Sequence, residues 1–146
     1  MEAYKKSALA ALVAVWIEFV IAASVVFIDP NDNDFPYTKI VLSWPGVLEE
    51  IHRLWAVVII IIFIVNILLI LRAKQRPAYL LTLAAVSFVL LILQAIYGAI
   101  TILSYDYPPY VVVHEGNAGV LMMVTALMAA VAVYSRPVLK STRGTK

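Results

Sequence analysis

The chain contains no cysteine, which removes structural disulfides, thiolate zinc sites, iron–sulfur clusters and cysteine-based redox chemistry. It has only two histidines, and 14% of its 146 residues are charged, against about 25% in a water-soluble domain. No basic run is interleaved with aromatic residues, so nucleic acid is not a partner. Any chemistry falls to histidine, carboxylates and aromatic side chains. What is abundant is apolar: 64% of the residues are hydrophobic. Most of this chain has a lipid bilayer as its solvent.

Four apolar segments, at about 7–28, 51–71, 78–103 and 111–134, are each long enough to cross a hydrocarbon core of about 30 Å. Together they account for most of a single transmembrane domain, 1–146. The first follows Lys5 and Lys6 as a signal peptide would, but its apolar core exceeds the usual length of about 7 to 15 residues. It is expected to be retained. All four segments should be helical, because lipid offers no partner to an open backbone. The short connections make consecutive spans antiparallel neighbours, so the expected fold is all-α, an integral membrane four-helix bundle running up-down-up-down.

Lys5, Lys6, Arg72, Lys74, Arg76, Arg136, Lys140, Arg143 and Lys146 fall on one side of this topology, leaving Lys39 and Arg53 for the other. The positive-inside rule then places both termini in the cytoplasm and the protein in the cell membrane. The outer connections carry Asp29, Asp32, Asp34, Glu49, Glu50 and Asp106, with Tyr37, Trp44, Tyr105, Tyr107 and Tyr110 at headgroup level. An aromatic belt of this kind needs no functional explanation.

His52 and His114 open the second and fourth spans. Both spans run from outside to inside, so the two imidazoles share a depth and can approach each other across the bundle. Two neutral imidazoles on opposite faces of a macrocycle are a common way to hold heme iron; two unrelated interfacial histidines are the plain alternative. Glu49 lies one turn before His52 on the same side of the helix, and with Glu50 it also suits a helix N-terminus. A Glu-x-x-His pair occurs in di-iron bundles, but those need two such pairs and further carboxylates. Arg53 has three candidate partners: a heme propionate, the neighbouring glutamates, or a lipid phosphate.

Gln94, Tyr97, Gly98 and Thr101 form a polar, small stripe at i, i+3, i+4 and i+7, which faces protein and serves either packing or a pocket. In the fourth span Asn117, Ala118 and Leu121 lie near the face of His114. Gly116 and Gly119 beside them would leave room for a ring. Met122 and Met123 are either alternative axial ligands or adaptable packing. Glu18, mid-span, costs roughly 2.5 kcal/mol or more on insertion scales and must face the bundle interior. It is a functional candidate, for proton delivery or a subunit contact, without an identifiable partner. Asn66 is expected to hydrogen-bond between helices.

The stretch Glu49, Glu50, Ile51, His52, Arg53 resembles the Glu-x-x-His-Arg motif of heme A synthases. The run from Gln94 through Gly98 to Thr101, and His114 with the small residues after it, are similar to that family's third- and fourth-helix patterns. The resemblance covers roughly 49–133. The known enzymes have eight spans in two similar halves, and this chain resembles one half, a compact half-length member. The family oxidises the C8 methyl of heme O to the formyl group of heme A, which terminal oxidases use. The resemblance implies His52 and His114 as axial ligands of heme iron and Glu49 as the catalytic carboxylate. Arg53, Gln94, Gly98, Thr101 and Asn117 would line the cofactor site. The bound group would be heme O or heme A as substrate and product, or heme b. One histidine pair per chain implies a homo-oligomer that replaces the missing half, with heme O synthase or a terminal oxidase as further partners. The alternatives are a b-type cytochrome exchanging electrons with a quinone, a non-catalytic heme carrier or oxidase-assembly subunit, and a structural bundle without cofactor.

Overall fold

The structure, a computed structural model, describes residues 1–28 and 44–136. The expectations placed on Asp29, Asp32, Asp34, Tyr37, Lys39, Lys140, Arg143 and Lys146 lie outside the described residues. Four helices follow one another: α1 Ala3–Ile28, α2 Trp44–Arg72, α3 Leu80–Leu103 and α4 Pro108–Tyr134. Each is long and apolar enough to cross a membrane, and no strand occurs among the described residues. The chain is an all-helical, multi-pass membrane protein.

Two helices begin earlier than the apolar pattern predicts, α2 at Trp44 rather than 51 and α4 at Pro108 rather than 111. At both places a proline ahead of the apolar run suggests a break in the pattern. Proline in the first turn is instead a start signal, since the N–H it lacks has no intrahelical acceptor there and its fixed φ suits the helix. Pro108 and Pro109 occupy this position in α4. The early start of α2 makes Glu49 and Glu50 helical residues rather than loop residues.

The helices pack in a ring, α1 on α2, α2 on α3, α3 on α4 and α4 on α1. α2 and α4 therefore stand diagonally opposite. α1 turns a face of small residues inward, with Ala8, Ala11 and Ala14 buried at three-residue spacing, which lets neighbouring backbones approach closely. α2 answers with Ile59, Phe63, Asn66 and Ile70, all buried, at the alternating four- and three-residue spacing of a helix seam. Across this pair the Trp55 indole N–H donates to the Ala14 carbonyl at 3.0 Å, and the Asn66 amide donates to the Ser7 hydroxyl at 2.8 Å. Asn66 thus makes the interhelical bond expected of it.

The α3–α4 connection is closed without glycine. Tyr105 and Asp106 both take the left-handed conformation at φ 54°, which costs about 1 kcal/mol or more per non-glycine residue. The return is that the Asp106 N–H reaches the Thr101 carbonyl at 3.0 Å and the Tyr105 N–H the Ile102 carbonyl at 3.0 Å, capping α3 and reversing the chain within a few residues. Such a turn leaves α4 no choice but to run back along α3.

Interhelical hydrogen bonds in membranes contribute roughly 0.6 kcal/mol on average. Asn66→Ala should therefore lower the unfolding free energy in mixed detergent micelles by about 1 kcal/mol once the lost packing is included. Ser7→Ala should cost less, and the double substitution no more than Asn66→Ala alone.

Candidate functional site

At 1.5 Å per residue, His52 stands about 12 Å along α2 from its start and His114 about 9 Å along α4. Glu18 stands about 15 Å before the end of α1 and Gln94 about 13 Å before the end of α3. All four helix ends concerned lie at the same end of the bundle, opposite the start of α1. Each helix thus contributes one polar side chain to a single layer, with the histidines on the diagonal.

On the α3–α4 side the hydrogen bonds have a fixed direction. The Asn117 amide nitrogen donates to the Leu90 carbonyl at 3.0 Å and to Gln94 Oε1 at 2.6 Å. A main-chain carbonyl can only accept, so the Asn117 end facing it is the NH2, and the Gln94 end facing Asn117 is the oxygen. Gln94 then presents its own NH2 to His114 Nε2, 3.2 Å away. It follows that Nε2 of His114 accepts and the ring proton sits on Nδ1. That Nε2 lone pair is the one a metal ion would take, and the Gln94 amide would have to withdraw to release it.

Gly98 has a specific place beside this ring. A Cβ built on it would meet His114 Cε1 at 3.1 Å, tighter than ordinary contact, so the imidazole lies where a larger residue would exclude it. Thr101 is buried, but its hydroxyl donates to the Tyr97 carbonyl at 2.8 Å within its own helix. The structure therefore brings together His114, Gln94, Gly98 and Asn117, whereas Thr101 is engaged locally.

On the α1–α2 side His52 Nδ1 lies 3.2 Å from Glu18 Oε1. This partner was not foreseen for either residue. A signal was nonetheless present: Glu18 continues the inward stripe of Ala11 and Ala14, and His52 continues that of Trp55 and Ile59. Aligning the two stripes as an antiparallel pair sets the two residues opposite each other. Glu49, 6% exposed, is ion-paired with Arg53 one turn later, and Arg53 also donates to Glu50 at 3.1 Å. Of the partners open to Arg53 on sequence, the structure places it on both glutamates.

Some expected neighbours are not neighbours. Gly116 and Gly119 are exposed, with nothing within 4 Å of an added Cβ; at two and five residues from His114 they lie off its face, so they make no room beside the ring. Met123 is 65% exposed and points away from the interior, while Met122 packs on the apolar core. Neither methionine stands as a ligand to a group bound at the histidines.

The donor set fits heme better than a bare ion. Among the described residues no three His, Asp or Glu groups converge as a metal cage, which also disfavours a di-iron centre. Two imidazoles on diagonal helices suit a planar group that carries its own equatorial ligands. Within the same layer His52 Nδ1, His114 Nδ1 and Glu18 Oε2 are buried without a completed hydrogen bond. Unsatisfied polar atoms cost roughly 1–3 kcal/mol each; Asn66 Oδ1, Ser87 Oγ and Thr125 Oγ1 are left so elsewhere in the bundle, and what distinguishes this layer is that its unsatisfied groups include both imidazoles.

The Gly98 contact makes a direct prediction. Gly98→Val should push the His114 ring off Gln94, changing the 15N shifts of that imidazole in heme-free protein, at a stability cost of about 1–3 kcal/mol and with helical content unchanged. An imidazole spectrum identical to that of the wild type would show that the ring does not lie against Gly98.

Residues 5–126 match the model of one protein family, described as cytochrome oxidase assembly protein and designated COX15-CtaA. The match runs from the first turn of α1 well into α4 and includes His52, Gln94, Gly98, His114 and Asn117. No curated protein and no solved structure matches the chain. With most of its length covered, including every helix that supplies the polar layer, the chain belongs to the cytochrome oxidase assembly protein family of heme A synthases.

Proposed function

We infer that the chain is a heme-modifying oxidoreductase that converts the C8 methyl of heme O into the formyl group of heme A for terminal oxidases. The observation that carries this reading is the polar layer itself, with His52 and His114 at one depth on diagonal helices and the buried carboxylate of Glu49 one turn from His52. Membership of the family supports it.

In this reading His52 and His114 would hold the heme iron, and Gly98 keeps the face of α3 open for the His114 ring. Gln94 and Asn117 hold His114 before binding and line the pocket afterwards. Heme supplies the redox chemistry, and the protein supplies orientation and charge. Taking the methyl to a formyl group needs an external electron acceptor and an oxygen donor, water or dioxygen; removing electrons from the methyl develops positive charge and releases a proton. Glu49, fixed and largely out of water, suits both stabilising that charge and accepting the proton. Its ion pair with Arg53 bears on both roles: an anionic propionate would compete for the guanidinium and free the carboxylate as substrate arrives.

The lysine and arginine asymmetry supports a plasma-membrane orientation with both termini in the cytoplasm and the heme layer near the outer face. One histidine pair per chain favours a homo-oligomer, with heme O synthase and a terminal oxidase as neighbours in heme traffic. A b-type cytochrome is the second reading, and the engagement of Glu49 by Arg53 favours it, since a carboxylate held in a structural ion pair leaves a histidine-bound heme to exchange electrons without being modified.

Expression in a host that makes heme O, followed by chromatography of the extracted hemes, separates the two. Heme A or its hydroxylated precursor should appear only with the chain present. Glu49→Ala should keep heme bound and lower conversion by about 10²-fold or more, while His52→Ala and His114→Ala should reduce heme binding. Conversion unchanged without Glu49 would remove its catalytic assignment, and heme bound without conversion would favour the cytochrome.

A further inference from the structure

Glu18 is the one ionisable side chain deep in α1, and the function above leaves it unused. Placing a carboxyl group there is costly, so the position calls for a physical reason. Its Oε1 is 3.2 Å from His52 Nδ1, and both side chains are mostly buried, at 17% and 29% exposure. The contact has ion-pair reach: His52 Nδ1 faces Glu18 Oε1, while Nδ1 and the other carboxylate oxygen, Oε2, are buried without a completed hydrogen bond.

The register around this contact is fixed independently. One turn deeper, the Trp55 indole N–H holds the Ala14 carbonyl at 3.0 Å, and three turns further Asn66 holds Ser7 at 2.8 Å. As α2 advances from His52 to Trp55 to Asn66, its partner on α1 recedes from Glu18 to Ala14 to Ser7, the exchange an antiparallel pair requires. Glu18 is therefore held opposite His52 by the packing of the whole α1–α2 pair.

We propose that Glu18 is a positioning residue for heme ligation: it accepts a hydrogen bond from His52 Nδ1–H, fixes the tautomer that leaves Nε2 unprotonated, and aims that nitrogen at the iron. The inference rests on His52 being a heme ligand. Metal-ligating histidines nearly always donate their second ring N–H to a carboxylate, carbonyl or water, which orients the ring and strengthens the donor nitrogen. The other histidine reaches the same tautomer by a different route, because the Gln94 NH2 makes His114 Nε2 an acceptor. Both imidazoles thus present Nε2, one prepared from α1 and the other from α3. A stronger donor at Nε2 stabilises the ferric state, so Glu18 also holds the heme potential down.

Two readouts test this, one of them without heme. In heme-free, 15N-histidine-labelled protein the chain gives only two imidazoles, assigned with His52→Ala. The His52 ring should carry its proton on Nδ1, and Glu18→Leu should move the proton population toward Nε2. Glu18→Gln, which keeps a weaker acceptor, should fall between the two. In heme-loaded protein Glu18→Gln should retain the low-spin spectrum and raise the midpoint potential, and Glu18→Leu should raise it further and lower heme occupancy several-fold. A His52 tautomer indifferent to both substitutions, or a potential unmoved by them, would overturn the role of Glu18. Wild-type protein that takes up no heme, with the tautomer response intact, would instead overturn the heme reading and leave the Glu18–His52 pair standing.

Discussion

In a bilayer every polar side chain must find its partner inside the protein, and that constraint orders this structure. A helix with one glutamate, histidine, glutamine or asparagine in an apolar face has few ways to pack, because any rotation that turns the polar group toward lipid costs several kcal/mol. Glu18 selects the face of α1, His52 and Asn66 that of α2, Gln94 that of α3, and His114 and Asn117 that of α4. The apolar residues then fill the space these choices define. The same contacts that lock the bundle assemble a polar layer near one end, so the site and the fold arise from one set of interactions.

The architecture was readable because membrane spans announce themselves by length and hydropathy, and the short connections fix antiparallel neighbours. The helix starts were not: Pro108 and Pro109 break an apolar pattern but begin a helix, and only capping logic tells the two meanings apart. Within the site, the depth of His52 and His114 and the inward face of Gln94 and Gly98 followed from numbering along antiparallel helices. The inward placement of Glu18 followed from its cost. Its pairing with His52 required the register of α1 against α2, which hydropathy alone does not carry and Trp55 on Ala14 reveals. Gly116 and Gly119 misled because small residues near a histidine in sequence are not always on its face of the helix.

The two halves of the layer differ in kind. On the α3–α4 side a chain of amides, anchored on the Leu90 carbonyl, hands direction from residue to residue until it defines the proton on His114. On the α1–α2 side a carboxyl group and an imidazole face each other directly, with the Glu49–Arg53–Glu50 cluster around the same turn of α2. A planar group entering between the diagonal histidines would displace the Gln94 amide from His114 Nε2 while leaving the Glu18 contact in place. The asymmetry gives each histidine a separate control, which the proposed exchange of a substrate heme for a product heme would use.

The central claim is that a single heme is held between His52 and His114. The most direct measurement is the low-temperature electron paramagnetic resonance spectrum of the ferric, heme-loaded protein beside the His52→Ala and His114→Ala variants. A low-spin, six-coordinate signal in the wild type that gives way to a high-spin signal or to heme loss in each variant is the predicted result. A high-spin wild-type signal, or a low-spin signal that survives either substitution, would contradict it.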